Sequence, residues 1–418
     1  MCSNGSSAIL GENSAKRVEQ VKRSIAVLAI VFAVSCVNLS IAQDADDEPD
    51  LYPEDRYAPP RDYYPEKGGL DITGPYEWVR NWLEPVEEGR IIHPNNVMAE
   101  SEDRVFIGLN GTSPLPKPDE NRMFWPFKRD YPGARVDHQM YAVNRNGDVI
   151  EEWDQWYQIF GHLHKIAMNP YDPEKHIWVL DRKAHQVFKF TNDGKELVMS
   201  VGTFQVPGDT KGHFNMPADI TFLPEGSFYV ADGFGNNRVV KYDKDGNYLL
   251  EWGSKGTGPG QFNLVDAVTV DAERRVYVTD RRNGRIQIFD EYGKYLDEWG
   301  GFLEPMKVII TMPDENGEQH AWVLDAPSAR LAKFDLNGKL LDYWGVDSDP
   351  DGVGPNGGGY YKKLVPGGFS WPHDAYVDPQ GNLYVSNGRI WRVDKYVPRK
   401  DAPKERLIDP FMPRSPSP

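Results

Sequence analysis

The chain has almost no cysteine. Cys2 and Cys36 are the only two in 418 residues, and both precede Ala42. A chain cut after Ala42 would have no disulfide, no thiol nucleophile and no thiolate metal site, so any metal must be held by His, Asp, Glu or carbonyl oxygens. Positive charge is also short. Lys+Arg number 47 against Asp+Glu 63, a net charge of -16, and a surface of that sign repels nucleic acid. The apolar run from Ser24 to Val37 is too short for a comfortable membrane span. Abundant instead are aromatics, at 12%, with 39 Gly and 33 Pro. Aromatic segments cut by Gly/Pro turns point to an all-β protein, and a hydrophobic content of 39% excludes wholesale disorder.

Lys16, Arg17, Lys22 and Arg23 precede the apolar run, and Ser40-Ile41-Ala42 follows it. That order reads as a signal peptide over 1–42, which predicts a secreted or periplasmic protein with no membrane span after processing. An uncleaved anchor and a lipid-modified Cys36 are the alternatives, although Ala33-Val34-Ser35 matches a lipoprotein site poorly. The leader holds four basic and two acidic residues, so the remaining chain carries about -18. Residues 43–75 are acidic, Pro/Tyr-rich and without periodicity, which predicts an exposed linker. A disordered tail is expected over 399–418, and a monomer in between.

Self-comparison shows a repeat. One unit runs from Phe214-Asn215-Met216-Pro217 through Phe228-Tyr229-Val230-Ala231-Asp232 and Asn237-Arg238-Val239-Val240 to Leu250-Glu251-Trp252-Gly253. The next runs from Phe262-Asn263-Leu264 through Val276-Tyr277-Val278-Thr279-Asp280 and Gly284-Arg285-Ile286-Gln287 to Asp297-Glu298-Trp299-Gly300. The aromatic-Val-x-Asp element recurs at Trp178-Val179-Leu180-Asp181 and Trp322-Val323-Leu324-Asp325. Variants are Tyr384-Val385-Ser386-Asn387 and Val105-Phe106-Ile107-Gly108. Most spacings fall near the ~40–50 residues of a four-stranded propeller blade, with insertions at 112–137 and 347–364. Asn192-Asp193-Gly194, Asp245-Gly246 and Asn337-Gly338 supply the left-handed residue of tight hairpins. The reading is a six-bladed β-propeller over 76–398. The last unit lacks a fourth strand, and Tyr76-Glu77-Trp78-Val79 resembles one, so the N-terminal segment is expected to close the ring. The Gly-rich stretch 253–260 lacks a Gly-Lys-Ser/Thr ending and reads as an inter-blade connection.

Aligning the units sets Asn95, His164, Ala218, Asp266, Met306 and His373 at one height on the strands lining the channel. Alternate blades lie about 120° apart around such a ring, so His164, Asp266 and His373 converge. Two imidazoles and a carboxylate suit Zn(II) or Fe(II) with an open position. Each alone would read as a hydrogen-bonded structural residue, and Asp266 as a solvated channel carboxylate. The next residue of each unit gives a second layer: Asn96, Lys165, Asp219, Ala267, Lys307 and Asp374. The other histidines, His93, His138, His162, His176 and His320 among them, lack this register and read as structural.

With these residues in view, the chain resembles peptidyl-α-hydroxyglycine α-amidating lyase, a six-bladed propeller of the NHL-repeat group. The resemblance covers roughly 140 to 395. It rests on His185-Gln186-Val187-Phe188-Lys189-Phe190, Pro207-Gly208, His213-Phe214, Ala231-Asp232-Gly233-Phe234-Gly235-Asn236-Asn237-Arg238, Asp280-Arg281-Arg282-Asn283-Gly284-Arg285-Ile286-Gln287 and Pro372-His373-Asp374. It implies cleavage of the C–N bond of a peptidyl-α-hydroxyglycine into peptide amide and glyoxylate, with a central zinc on three His and a structural calcium. The zinc positions match His164, Asp266 and His373. The calcium ligands match the Asp374 carboxylate with main-chain oxygens near Val97 and Ile166, and an active-site arginine matches Arg281. Asp266 departs from a zinc His, Phe234 stands where the family has its catalytic Tyr, and Leu109 takes the place of a second Arg. Arg182 follows Asp181 as Arg281 follows Asp280, and either supplies a second cation or lies on the surface.

Two functions follow as expectations. One is an exported, metal-dependent lyase-like enzyme on a small carboxylate-bearing or peptide substrate, anchored by Arg281. The other is a non-catalytic binding propeller with structural metal, whose protein partner docks on the insertions through Phe124, Trp125 and Phe127.

Overall fold

Short runs of β-branched and aromatic residues between turn signals fold here as strands. The computed structural model describes residues 72–83, 90–114, 135, 138–314, 316–345, 367–388 and 391–410. The expected leader, most of the linker, most of the insertion 112–137 and all of the insertion 347–364 lie outside the described residues. Strand β1 (Tyr76–Val79) comes first. The next blade holds β2 (Arg90–Ser101), β3 (Arg104–Pro114), β4 (Met140–Val143) and β5 (Val149–Glu152). Then come β6 (Leu163–Met168), β7 (Ile177–Asp181), β8 (Gln186–Phe190) and β9 (Leu197–Gly202), and β10 (Asp219–Phe222), β11 (Phe228–Asp232), β12 (Arg238–Tyr242) and β13 (Tyr248–Trp252). They are followed by β14 (Val265–Val270), β15 (Val276–Asp280), β16 (Arg285–Phe289) and β17 (Tyr295–Trp299), then β18 (Pro305–Ile310), β19 (Ala321–Asp325), β20 (Arg330–Phe334) and β21 (Leu340–Trp344). The chain ends on β22 (Pro372–Val377), β23 (Leu383–Asn387) and β24 (Arg392–Pro398).

These strands form six four-stranded antiparallel sheets. Their innermost strands, β2, β6, β10, β14, β18 and β22, pack against one another in sequence, and β22 returns to β2. The result is a six-bladed β-propeller. Burial follows position: β15 is buried at all five residues, whereas the outermost β13 alternates half-buried with exposed.

The expected closure is present. β1 pairs with β24, Tyr76 opposite Pro398 and Val79 opposite Lys395. The Trp78 indole donates to Asp394 Oδ1 at 2.9 Å, across 316 residues. The expected disordered tail is corrected over 399–410. Ile408 is buried, its N–H donates to the Tyr76 hydroxyl, and Arg406 pairs with Asp342 at 2.6 Å. Leu407 and Ile408 add apolar area to the cluster of Tyr76, Trp344 and Tyr396, and this burial outweighs the polar, Pro-rich composition that suggested disorder.

The hairpin glycines also match expectation. Gly194, Gly246 and Gly338 have φ of 68°, 82° and 83°. Close packing is a second reason for glycine: a Cβ at Gly338 would come within 2.5 Å of the Trp299 ring of the preceding blade.

The recurring aspartate is structural. Asp181 accepts the N–H groups of Gly161, His162, Lys183 and Ala184 at 2.6–2.9 Å. Asp280 accepts Asn263 N–H at 2.7 Å and Arg285 Nε at 2.7 Å, and Asp325 accepts Glu304 N–H at 2.8 Å. Asn387 does the same for Ser370 N–H at 2.8 Å. Each ties the loop entering an innermost strand to the second strand of its own blade, and so fixes the height at which that strand enters the channel.

Asp280→Ala should therefore leave the Asn263 N–H without its acceptor and strip the buried Arg285 guanidinium of one of its two carboxylates, the other being Glu298. Removing one member of a buried charged network costs about 3–5 kcal/mol. Urea denaturation should show that loss, and Lys294→Ala, at an exposed turn, should change stability by under about 0.5 kcal/mol. Equal midpoints for Asp280→Ala and the parent chain would refute the structural role.

Candidate metal centre at the channel axis

Five of the six innermost strands carry an irregularity in their pairing with the next strand. Pairing skips Asn95 between β2 and β3, His164 between β6 and β7, Met306 between β18 and β19, and His373 between β22 and β23. Asp266 and Ala267 are skipped in β14, while β10 pairs regularly from Asp219, opposite Ala231, with the Ala218 N–H also donating to Ala231 O at 2.8 Å. Such bulges set two residues against one and break the strict alternation of side chains. Consecutive residues such as His164 and Lys165 can then both meet groups at the axis.

The bulges bring His164, Asp266 and His373 together, with ligand atoms all within 4.8 Å of one another. The His164 and His373 rings lie 5.1 Å apart, and His164 Nε2 is 3.9 Å from Asp266 Oδ1. Each imidazole holds a neighbouring main-chain carbonyl through Nδ1: His164 to Ala218 O and His373 to Asn95 O, both at 2.8 Å. A carbonyl only accepts, so Nδ1 carries the proton in both rings. Burial holds both imidazoles below their usual pKa, more strongly at His164, where His373 and Arg182 add to the effect. Both rings are therefore neutral, with Nε2 lone pairs available. His164 Nε2 is buried without a hydrogen-bond partner. Two oriented neutral imidazoles, one with an orphaned Nε2, and a carboxylate fit a divalent transition metal, the main-chain carbonyls of Ala218 and Asn95 acting as orienting partners.

Burial raises the Asp266 carboxyl and Arg281 draws it down. Asp266 Oδ2 accepts Arg281 Nη1 at 3.3 Å, and Arg281 Nε donates to Glu304 Oε2 at 2.8 Å. Arg281 thus lies between two carboxylates rather than facing the channel alone. Arg182 does not lie on the surface. It is buried, its guanidinium carbon lies 3.7 Å above the Phe234 ring centre, and Nη2 contacts Met216 Sδ. Phe234 meets His164 edge-on at 5.2 Å, and Leu109 is fully buried.

Asp374 stands apart from the three. Its Oδ2 accepts Lys165 Nζ at 2.8 Å and Asn96 Nδ2, while Asn96 Oδ1 accepts Ile166 N–H at 2.7 Å. Lys307 pairs with Asp219 Oδ2, which also accepts Val268 N–H at 3.2 Å. Five of the six blades thus give this layer a polar side chain, and the β14 blade gives only the Val268 N–H. Beneath this layer, toward the far ends of the innermost strands, lies a cavity of about 150 Å³ with Lys165 and Lys307 among apolar walls such as Phe222, Ile309 and Tyr376.

Sequence reasoning missed Glu304. It is one buried acid in a connecting loop, outside the aligned heights, and only the fold brings it to Arg281. A second histidine–acid group, His138, Glu152 and Asp154, is partly exposed. His138 Nδ1 pairs with Asp154 at 2.9 Å.

The NHL repeat model matches residues 214–242 and 262–289. The chain is 34% identical over 124 residues to peptidyl-glycine alpha-amidating monooxygenase B of Xenopus laevis, covering 28% of this chain and 14% of that protein. It is 33% identical over 166 residues to a probable peptidyl-alpha-hydroxyglycine alpha-amidating lyase of Caenorhabditis elegans, covering 39% and 46%. It is 39% identical over 177 residues to NHL repeat-containing protein 3 of Mus musculus, covering 38% and 48%. The chain spans about a seventh of the first of these proteins and about half of the other two. It is an NHL-repeat propeller related to the amidating lyases. Among the described residues, no helix is long and apolar enough to cross a membrane.

Asp266→Ala and His373→Ala should each lose one transition-metal ion per chain, and Asp266→His should retain it with preference shifted toward zinc. Elemental analysis of the three variants beside the parent chain checks this. A parent chain that takes up no transition metal on titration would leave the three residues as a polar channel lining.

Proposed function

We propose that the chain is an exported, metal-dependent enzyme of lyase type acting on a small substrate that bears a carboxylate. The observation carrying this reading is the pair of neutral imidazoles, each oriented through Nδ1, beside the Asp266 carboxylate. A divalent Zn or Fe ion on His164, Asp266 and His373 would polarise a substrate oxygen or activate a water. Arg182 and Arg281 balance Asp266 and Glu304, so the protein groups are neutral in sum and a bound dication makes the site attract anions. Arg182, fixed over Phe234, offers the substrate carboxylate a positioned guanidinium. Arg281 answers Asp266 directly, so it anchors the metal ligand and borders the substrate at once. Burial of His164, Asp266 and Arg182 excludes bulk water and strengthens each of these interactions.

Phe234 supports a second reading, a non-catalytic binding propeller. Its ring has no proton acceptor at the position where the related lyases are expected to place a phenol. In that case a protein partner would use the insertion residues Phe124, Trp125 and Phe127, which lie outside the described residues.

The metal-loaded protein should release glyoxylate from a peptidyl-α-hydroxyglycine poorly, since a missing general base costs ~10²–10⁴-fold, and Phe234→Tyr should raise the rate. Glycolate, a small hydroxy-carboxylate probe, should bind the metal-loaded protein and weaken by roughly tenfold or more in Arg182→Ala, the scale of a lost charge-assisted hydrogen bond. Calorimetry reads the binding. A metal-loaded chain that neither binds glycolate nor gains turnover in Phe234→Tyr would favour the binding propeller.

A further inference from the structure

We propose that Lys165 is a built-in cation that occupies the place where the resemblance implies calcium, so that the axis of this propeller is closed without calcium. The inference concerns the second layer and is independent of the function proposed for the first.

Three observations carry it. The expected calcium ligand, the Asp374 carboxylate, already holds the Lys165 ammonium at 2.8 Å and the Asn96 amide on its Oδ2. Asn96 has no oxygen to lend, because its Oδ1 accepts Ile166 N–H. The layer is also compensated charge for charge, Lys165 with Asp374 and Lys307 with Asp219. Calcium takes six to eight oxygen ligands and is drawn by uncompensated carboxylates. The carboxylate oxygens of this layer without hydrogen-bond partners are Asp374 Oδ1 and Asp219 Oδ1, one on each neutralised pair. A dication entering beside Lys165 would face an ammonium in a buried layer, where repulsion between like charges is weakly screened.

The replacement keeps the mechanical part of the ion's work. Asn96, Lys165 and Asp374 belong to β2, β6 and β22, which meet where the ring closes, so the ammonium clasps these three blades from one tethered position. A tethered cation neither dissociates nor answers to the calcium concentration outside.

The experiment uses the full chain, with calcium uptake read by calorimetry and elemental analysis and melting compared with and without millimolar calcium chloride. The parent chain should take up no calcium, and its melting should not move. Lys165→Ala and Lys165→Met strip the compensation from Asp374; they should bind one calcium per chain and melt several degrees higher with it. Adding Asp374→Asn to either should abolish that gain. A variant that folds only when calcium is present would support the assignment equally. Calcium binding by the parent chain overturns the proposal. So do Lys165 variants that fold without taking up calcium, or that fail to fold with calcium and without it.

Discussion

One backbone irregularity, repeated around the ring, governs what meets at the axis. A regular strand would send His164 and Lys165, or His373 and Asp374, to opposite faces of its sheet. The bulge at each entry breaks that alternation and gives each of these strands two consecutive residues for the channel. Its own amides are supplied locally: Ala267 N–H donates to Thr279 Oγ1 at 2.7 Å and Asp374 N–H to Ser386 Oγ at 3.2 Å. The repeated aspartates hold the loops just upstream. Motif, bulge and site are thus one device, in which a conventional buried carboxylate sets the height of unconventional channel residues.

In the proposed metal site, Asp266 in place of a third imidazole would change more than the metal. A histidine there, anchored like the other two through Nδ1, would have a single remaining nitrogen to offer. A carboxylate has two oxygens. Oδ1 turns toward His164 while Oδ2 accepts Arg281. The proposed metal ligand and the proposed anion anchor are therefore joined by a salt bridge, and Glu304 fixes the arginine from its other side. A change of charge at a metal held by Asp266 would be felt at Arg281 without an intervening residue.

Much of this was legible in the sequence. Repeats announce blades because each four-stranded unit reuses the same turn chemistry and burial pattern. The shared height of His164, Asp266 and His373 follows from repeat alignment, and Tyr76-Glu77-Trp78-Val79 betrays its role by resembling other outer strands. What escaped are partners chosen across the channel rather than along the chain. Lys165 could be placed in the second layer, but its hold on Asp374, 209 residues away, depends on side-chain reach. Glu304 belongs to no repeated position. The segment 399–410 looked like a polar tail because two apolar residues, Leu407 and Ile408, carry its docking.

Closing the last sheet with β1 also has a temporal side. The strand made early in translation finds its partner only when β24 appears, more than 300 residues later. At ~5–20 residues per second, the interval is on the order of tens of seconds. Throughout it, Tyr76 and Trp78 sit on a strand with no neighbour, and the growing ring keeps an open side, both invitations to pair with another chain. Blades between them can form locally, since each is built from short hairpins. The vulnerable period of this molecule is thus set by the distance along the chain between the two halves of one sheet.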